Sequence, residues 1–121
     1  PYVQDVVLTG LNMKEVGALI FPAPACREVS GLGADASMNE VLASTPVRQR
    51  IQAIIDQLAR ESTGSASRIA RALVLAEPPS PVLGEITDKG SVNQRAVLKH
   101  RAALVDALHD GSATGIYTPQ A

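Results

Sequence analysis

Between Thr45 and Gly64 the chain carries its clearest period, and that period dictates a helix with one buried side. Val47, Ile51, Ile54, Ile55 and Leu58 recur at helical spacing, while Arg48, Gln49, Gln52, Asp56 and Arg60 occupy the other faces. Thr45 offers a hydroxyl at the N-cap. Pro46 suits the first helical position, because an N–H there would lack an intrahelical partner in any case. Gly64 is expected to end the helix. An apolar stripe of this kind must be covered, so the rest of the chain has to supply an apolar surface for it.

Two upstream runs provide one. Val3 to Thr9 is rich in β-branched residues and closes at Gly10, and Glu15 to Phe21 is a second apolar run closed by Pro22. The short link Gly10-Leu11-Asn12-Met13-Lys14 suits a hairpin, so the two strands are expected to be antiparallel neighbours. Arg68 to Ala76 reads as a third strand, with Ile69, Leu73 and Leu75 on one face and Ala70, Ala72 and Val74 on the other, stopped by Pro78-Pro79-Ser80-Pro81. Residues 22–45 read as a loop-rich connection with short helices over Pro24–Val29 and Ser37–Ala43. Ser91 and Gln94 have capping-box spacing, so a second helix is expected to start at Ser91 and to bury Val97, Leu98, Leu104, Val105 and Leu108. The expected fold class is α+β, a small three-stranded sheet packed with helices. Residues 1–109 form its single domain, and 110–121, with Gly111-Ser112-Ala113-Thr114-Gly115, read as a flexible tail.

Composition narrows the function classes. The 121 residues suit one domain. Eleven basic against twelve acidic residues leave a net charge of −1, which does not suit a nucleic-acid binder. Phe21, Tyr2 and Tyr117 are the only aromatic residues, so the core is aliphatic and there is no platform for stacking bases. Cys26 stands alone, which precludes an internal disulfide and points to a buried thiol in a reducing, cytoplasmic setting. No stretch is long and apolar enough for a membrane helix. His100 and His109 lie nine residues apart without a nearby partner, so no metal site is expected. The chain enters a strand almost at once and is expected to be a piece of a longer one. A small enzyme using Pro1 as a base is a rival, but the strand–helix–strand repeat of such enzymes is missing.

The unusual stretch is Glu85-Ile86-Thr87-Asp88-Lys89-Gly90-Ser91-Val92-Asn93-Gln94-Arg95. A polar loop between a proline stop and a helix start presents a lysine beside a glycine, and Arg95, Lys99, His100 and Arg101 follow with no acid until Asp106. Such a place attracts a carboxylate or phosphate, and one ion pair at 4 Å is worth about 4 kcal/mol at an effective dielectric near 20, before desolvation is subtracted. The plain alternative is a solvated turn followed by a basic helix face. This is no Walker loop, which needs two glycines before its Lys-Ser/Thr pair.

Those residues resemble the C-terminal lid of the adenylate-forming acyl-CoA synthetases, in particular the feruloyl-CoA synthetase branch. Val3-Gln4-Asp5-Val6-Val7-Leu8-Thr9-Gly10 and Glu15-Val16-Gly17-Ala18-Leu19-Ile20-Phe21-Pro22 resemble the first two lid strands. Arg68-Ile69-Ala70-Arg71-Ala72-Leu73 resembles the strand before the catalytic loop, and Gly84 to Leu98 is the most specific stretch. The resemblance implies an AMP-forming acid–CoA ligase that uses ATP, magnesium and coenzyme A. The acid would be a small aromatic one, and the partner is the large N-terminal domain of the same polypeptide. It implies Lys89 as the catalytic lysine of adenylation, with Gly90, Ser91 and Arg95 contacting substrate or nucleotide. The fragment alone would bind no cofactor and be inactive. In most of the wider family the glycine precedes the lysine; here Asp88 precedes Lys89 and Gly90 follows. A non-catalytic interaction domain using Lys89–Arg101 as a basic docking face is the alternative.

Overall fold

The computed structural model of the chain describes residues 2–10, 16–61 and 69–119. In chain order the elements are β1 (Val3–Thr9), β2 (Val16–Pro22), α1 (Ala25–Ser30), α2 (Met38–Ala43), α3 (Thr45–Glu61), β3 (Ile69–Val74), α4 (Gln94–His100) and α5 (Ala102–Asp110). The sheet runs β1-β2-β3, with β1 antiparallel and β3 parallel to the central strand. This is the expected α+β arrangement, with the expected pairing of the first two strands. Residues 11–14 of the expected link, Glu15 of the expected second strand and the helix end expected at Gly64 lie outside the described residues.

β2 is an unbroken apolar run because both faces of the sheet are covered. Six of its seven residues are buried. On one face Val16, Ala18 and Ile20 pack with Cys26, Val41, Val47, Ile51 and Ile55 from α1, α2 and α3. On the other, Leu19 and Phe21 meet Val7, Leu73, Leu75, Val97 and Leu108. Each fully buried aliphatic side chain of this kind contributes about 1.5–3 kcal/mol. The stripe read from the sequence is therefore what seats α3, with Val47, Ile51, Ile55 and Ala59 buried. The Ser44 carbonyl accepts from the Arg48 N–H at 3.0 Å, so Thr45 already lies within the helix.

β3 departs from simple alternation. Val16 pairs with Ile69 but Gly17 pairs with Arg71, so β3 carries an extra residue there. Such a bulge exchanges the faces of the residues on either side of it. Ile69 consequently joins Ala72 and Val74 in the α1–α3 core, while Leu73 and Leu75 face α4 and α5. Simple alternation along the sequence places Ile69 with Leu73 and Leu75 instead.

α5 sits close on the sheet because residue 17 lacks a side chain. A Cβ on Gly17 would stand 2.5 Å from Thr9 Oγ1 and 2.9 Å from Leu108 Cδ2. Thr9 is buried and its Oγ1 lies 2.7 Å from His109 Nε2. Arg71 Nη1 donates to the carbonyls of Leu108 (3.1 Å) and His109 (2.8 Å), satisfying the helix C-terminus where a cation is favoured.

The segment expected as a flexible tail, 110–121, is joined to the sheet at Tyr117. Tyr117 and Ala72 exchange both backbone hydrogen bonds, at 2.8 and 2.9 Å, on the edge of β3 that does not face β2. The Tyr117 ring is buried in the α1–α3 core and the Arg48 guanidinium lies 4.6 Å from its centroid. Gln52 Nε2 donates to the Thr118 carbonyl at 2.8 Å. A glycine-rich link preceded an aromatic anchor, and composition registered only the link.

Candidate functional site

The stretch from Glu85 to Asn93 folds as a very short hairpin. Ile86 and Val92 form an antiparallel bridge, Asn93 N–H donates to the Glu85 carbonyl at 2.8 Å, and Thr87 N–H donates to the Ser91 carbonyl at 2.8 Å. Gly90 N–H closes the tip onto the Thr87 carbonyl at 2.9 Å, and Ser91 N–H donates to Thr87 Oγ1 at 3.2 Å. The tip is Asp88-Lys89-Gly90. A three-residue hairpin loop needs its last residue in the left-handed region, and Gly90 has φ 84°. The glycine follows the lysine because the turn requires it there.

Ser91 is consequently part of the hairpin and not a helix cap. Asn93 caps α4 instead, its Oδ1 accepting from Ala96 N–H at 3.2 Å. The single helix expected from Ser91 is two helices, α4 and α5, joined at Arg101, whose backbone (φ −112°, ψ 29°) leaves helical geometry.

Arg101 makes the main tertiary contacts of the region. Its Nε donates to Glu85 Oε2 at 3.0 Å and its Nη2 to Glu85 Oε1 at 2.9 Å, a two-pronged ion pair. Nη1 also donates to the Glu77 carbonyl at 3.0 Å and Nη2 to the Pro78 carbonyl at 2.8 Å. The guanidinium lies 5.1 Å from the Phe21 ring centroid. Glu85 Oε1 further accepts from Ser80 N–H at 2.9 Å, and Glu85 N–H donates to the Ser80 carbonyl at 2.9 Å. The Glu85 side chain is 1% exposed. The hydrogen bonds from Arg101 hold its carboxyl below the usual glutamate range, against burial, which pushes the other way; the Ser80 N–H adds to the lowering. One carboxylate and one guanidinium thereby tie together the proline loop, the base of the hairpin and the α4–α5 junction.

Lys89, Gly90, Ser91 and Arg95 are all exposed, the first three on the hairpin and Arg95 in the first turn of α4. No hydrogen bond or ion pair joins Asp88 to Lys89 among the described residues. The basic run is divided: Arg95, Lys99 and His100 are exposed, but Arg101 is turned inward. Two concavities, of about 300 and 460 Å³, open beside Phe21, Met38 and Pro78 and beside Leu73, Arg101 and Leu104. Neither is lined by Lys89. Cys26 is buried, its Sγ donating to the Tyr2 carbonyl at 3.2 Å, and burial pushes its thiol pKa up. No helix among the described residues is long and apolar enough to cross a membrane.

Glu85 and Arg101 escaped the sequence reading as a pair. In the sequence the first is one member of a polar loop and the second one more residue of a basic run. The only available signal was an acid and an arginine flanking a turn and a short helix, which is too common a pattern to select them.

The model of the AMP-binding enzyme C-terminal domain matches residues 1–113, and the chain belongs to that family, the C-terminal domain of adenylate-forming enzymes. No curated protein and no solved structure matches the chain.

Proposed function

We propose that this chain is the mobile lid of an acid–CoA ligase, in the feruloyl-CoA synthetase branch, and that Lys89 is its adenylation lysine. The observation that carries the reading is an exposed lysine at the tip of a hydrogen-bonded hairpin in a chain of this family. A cation displayed on a convex tip, and lining neither of the two concavities above, suits a site completed by another surface. That surface is the large N-terminal domain of the same polypeptide, which holds ATP with its magnesium, the acid and coenzyme A.

In the first step a carboxylate oxygen attacks the α-phosphorus of ATP, giving acyl-adenylate and releasing pyrophosphate. Lys89 Nζ offsets the negative charge gathered between the carboxylate and the nucleotide oxygens as they approach. In the second step the sulfur of coenzyme A attacks the acyl carbon and AMP leaves, with the lid rotated and Lys89 withdrawn. Gly90 gives the tip its shape, and Ser91 and Arg95 stand beside it to contact the nucleotide.

The test is Lys89→Ala in the full-length enzyme. Acid-dependent pyrophosphate release should fall about 10²–10³-fold, the usual loss for one placed charge donor. Thioester formation from supplied acyl-adenylate should largely survive. Unchanged adenylation would instead favour the non-catalytic interaction domain. The isolated chain, given ferulate, ATP and coenzyme A, should release no AMP, and turnover by it would end the proposal.

A further inference from the structure

We propose that Glu85 and Arg101 are positioning residues for Lys89: their buried ion pair holds the hairpin in the orientation that delivers the lysine in the first half-reaction. The inference rests on the lid-lysine reading and adds the device that aims it.

Lys89 is four positions beyond Glu85 in a hairpin closed by three backbone hydrogen bonds, Asn93 N–H to the Glu85 carbonyl, Thr87 N–H to the Ser91 carbonyl and Gly90 N–H to the Thr87 carbonyl, the first two bracketing the Ile86–Val92 bridge. A hairpin this short is not independently stable, so its direction must come from what holds its base. That base is Glu85, whose backbone N–H and carbonyl are bonded to Ser80 and Asn93 and whose carboxylate takes Ser80 N–H and two Arg101 donors. Arg101 fixes the other end by sitting at the α4–α5 break and gripping the Glu77 and Pro78 carbonyls. Phe21, on the central strand, lies under the guanidinium. The path from sheet to lysine is thus continuous, Phe21 to Arg101 to Glu85 to the hairpin. A misplacement of about 1 Å at a reacting group can cost 10²-fold in rate, so a fixed base has a catalytic consequence. A buried ion pair is in itself weak evidence for stability, since apolar residues of similar volume often do as well. Here it stands where the proline loop and the base of the lysine hairpin meet, and it bonds to both.

The experiment is a double-substitution cycle in the full-length enzyme, with both half-reactions measured. Glu85→Gln preserves volume and removes the charge; Arg101→Lys preserves the charge and removes the planar fork. Each should lower the adenylation kcat about tenfold or more, with little change in KM and with transfer from supplied acyl-adenylate retained. Far-ultraviolet circular dichroism identifies any variant that fails to fold, and the other then carries the test. In a Lys89→Ala background the same substitutions should cost nothing further, because residues that act only through Lys89 have nothing left to aim. Equal losses in both half-reactions, or the same factor lost with and without Lys89, would overturn the inference and leave the lysine's role standing. An active Lys89→Ala enzyme would overturn both.

Discussion

A single residue decides the form of the lysine tip. Gly90 holds φ 84° with nothing within 4 Å of where a Cβ would stand, so a side chain there meets backbone strain and no steric clash. Gly90→Ala is expected to cost about 1–2 kcal/mol locally and to lower adenylation. Gly90→Asn should be milder, because asparagine tolerates the left-handed region better. Parallel assays of pyrophosphate release would check the order Gly, Asn, Ala. Gly17 is the opposite case: its backbone is ordinary, but a Cβ would press on Thr9 and Leu108. Gly17→Ala should destabilise the chain by about 1–3 kcal/mol, as overpacking does, read as a lowered denaturation midpoint. The two glycines look alike in sequence and differ because one answers to φ and the other to a neighbour.

Among the elements, the long helix and the hairpin pair were legible because periodicity and turn chemistry act over a few neighbouring residues. Val47, Ile51 and Ile55 are buried as their spacing required. Two features were not legible. The bulge that moves Ile69 to the other face depends on pairing with β2, and no residue of β3 announces it locally. The helix expected from Ser91 through Leu108 is interrupted at Arg101, where the guanidinium is drawn toward Glu85 and two carbonyls, and such long-range partners do not register in a helical period. The docking of Tyr117 gives this scale its test. Tyr117→Ala removes a buried ring and its cation–π partner and should cost about 3 kcal/mol, toward the low end for deleting a buried aromatic side chain. The expected observation is earlier thermal unfolding together with faster proteolysis after Gly111.

For the molecule as a whole, the Glu85–Arg101 pair couples folding to protons. The folded-state pKa of Glu85 lies below its unfolded value, so on acidification the unfolded chain binds the proton first. The pair's contribution is complete above about pH 4.3, the ordinary glutamate value, and is lost as the pH falls through the lower folded value. Denaturant midpoints measured from neutral pH down through the carboxylate range should therefore fall less steeply for Glu85→Gln than for the parent. Glu40 and Asp110 are lowered too, by hydrogen bonds to Ser37 and Ser112, and would leave a residual slope of the same sign. The sequence by itself determined the strands, the amphipathic helix, the aliphatic core and the candidate lysine, because each is written in residues close together along the chain. Only the tertiary structure decided how that lysine is held. A carboxylate and a guanidinium 16 residues apart became partners because the fold brings the α4–α5 junction beside the proline loop, leaving Glu85 buried where its charge requires a partner.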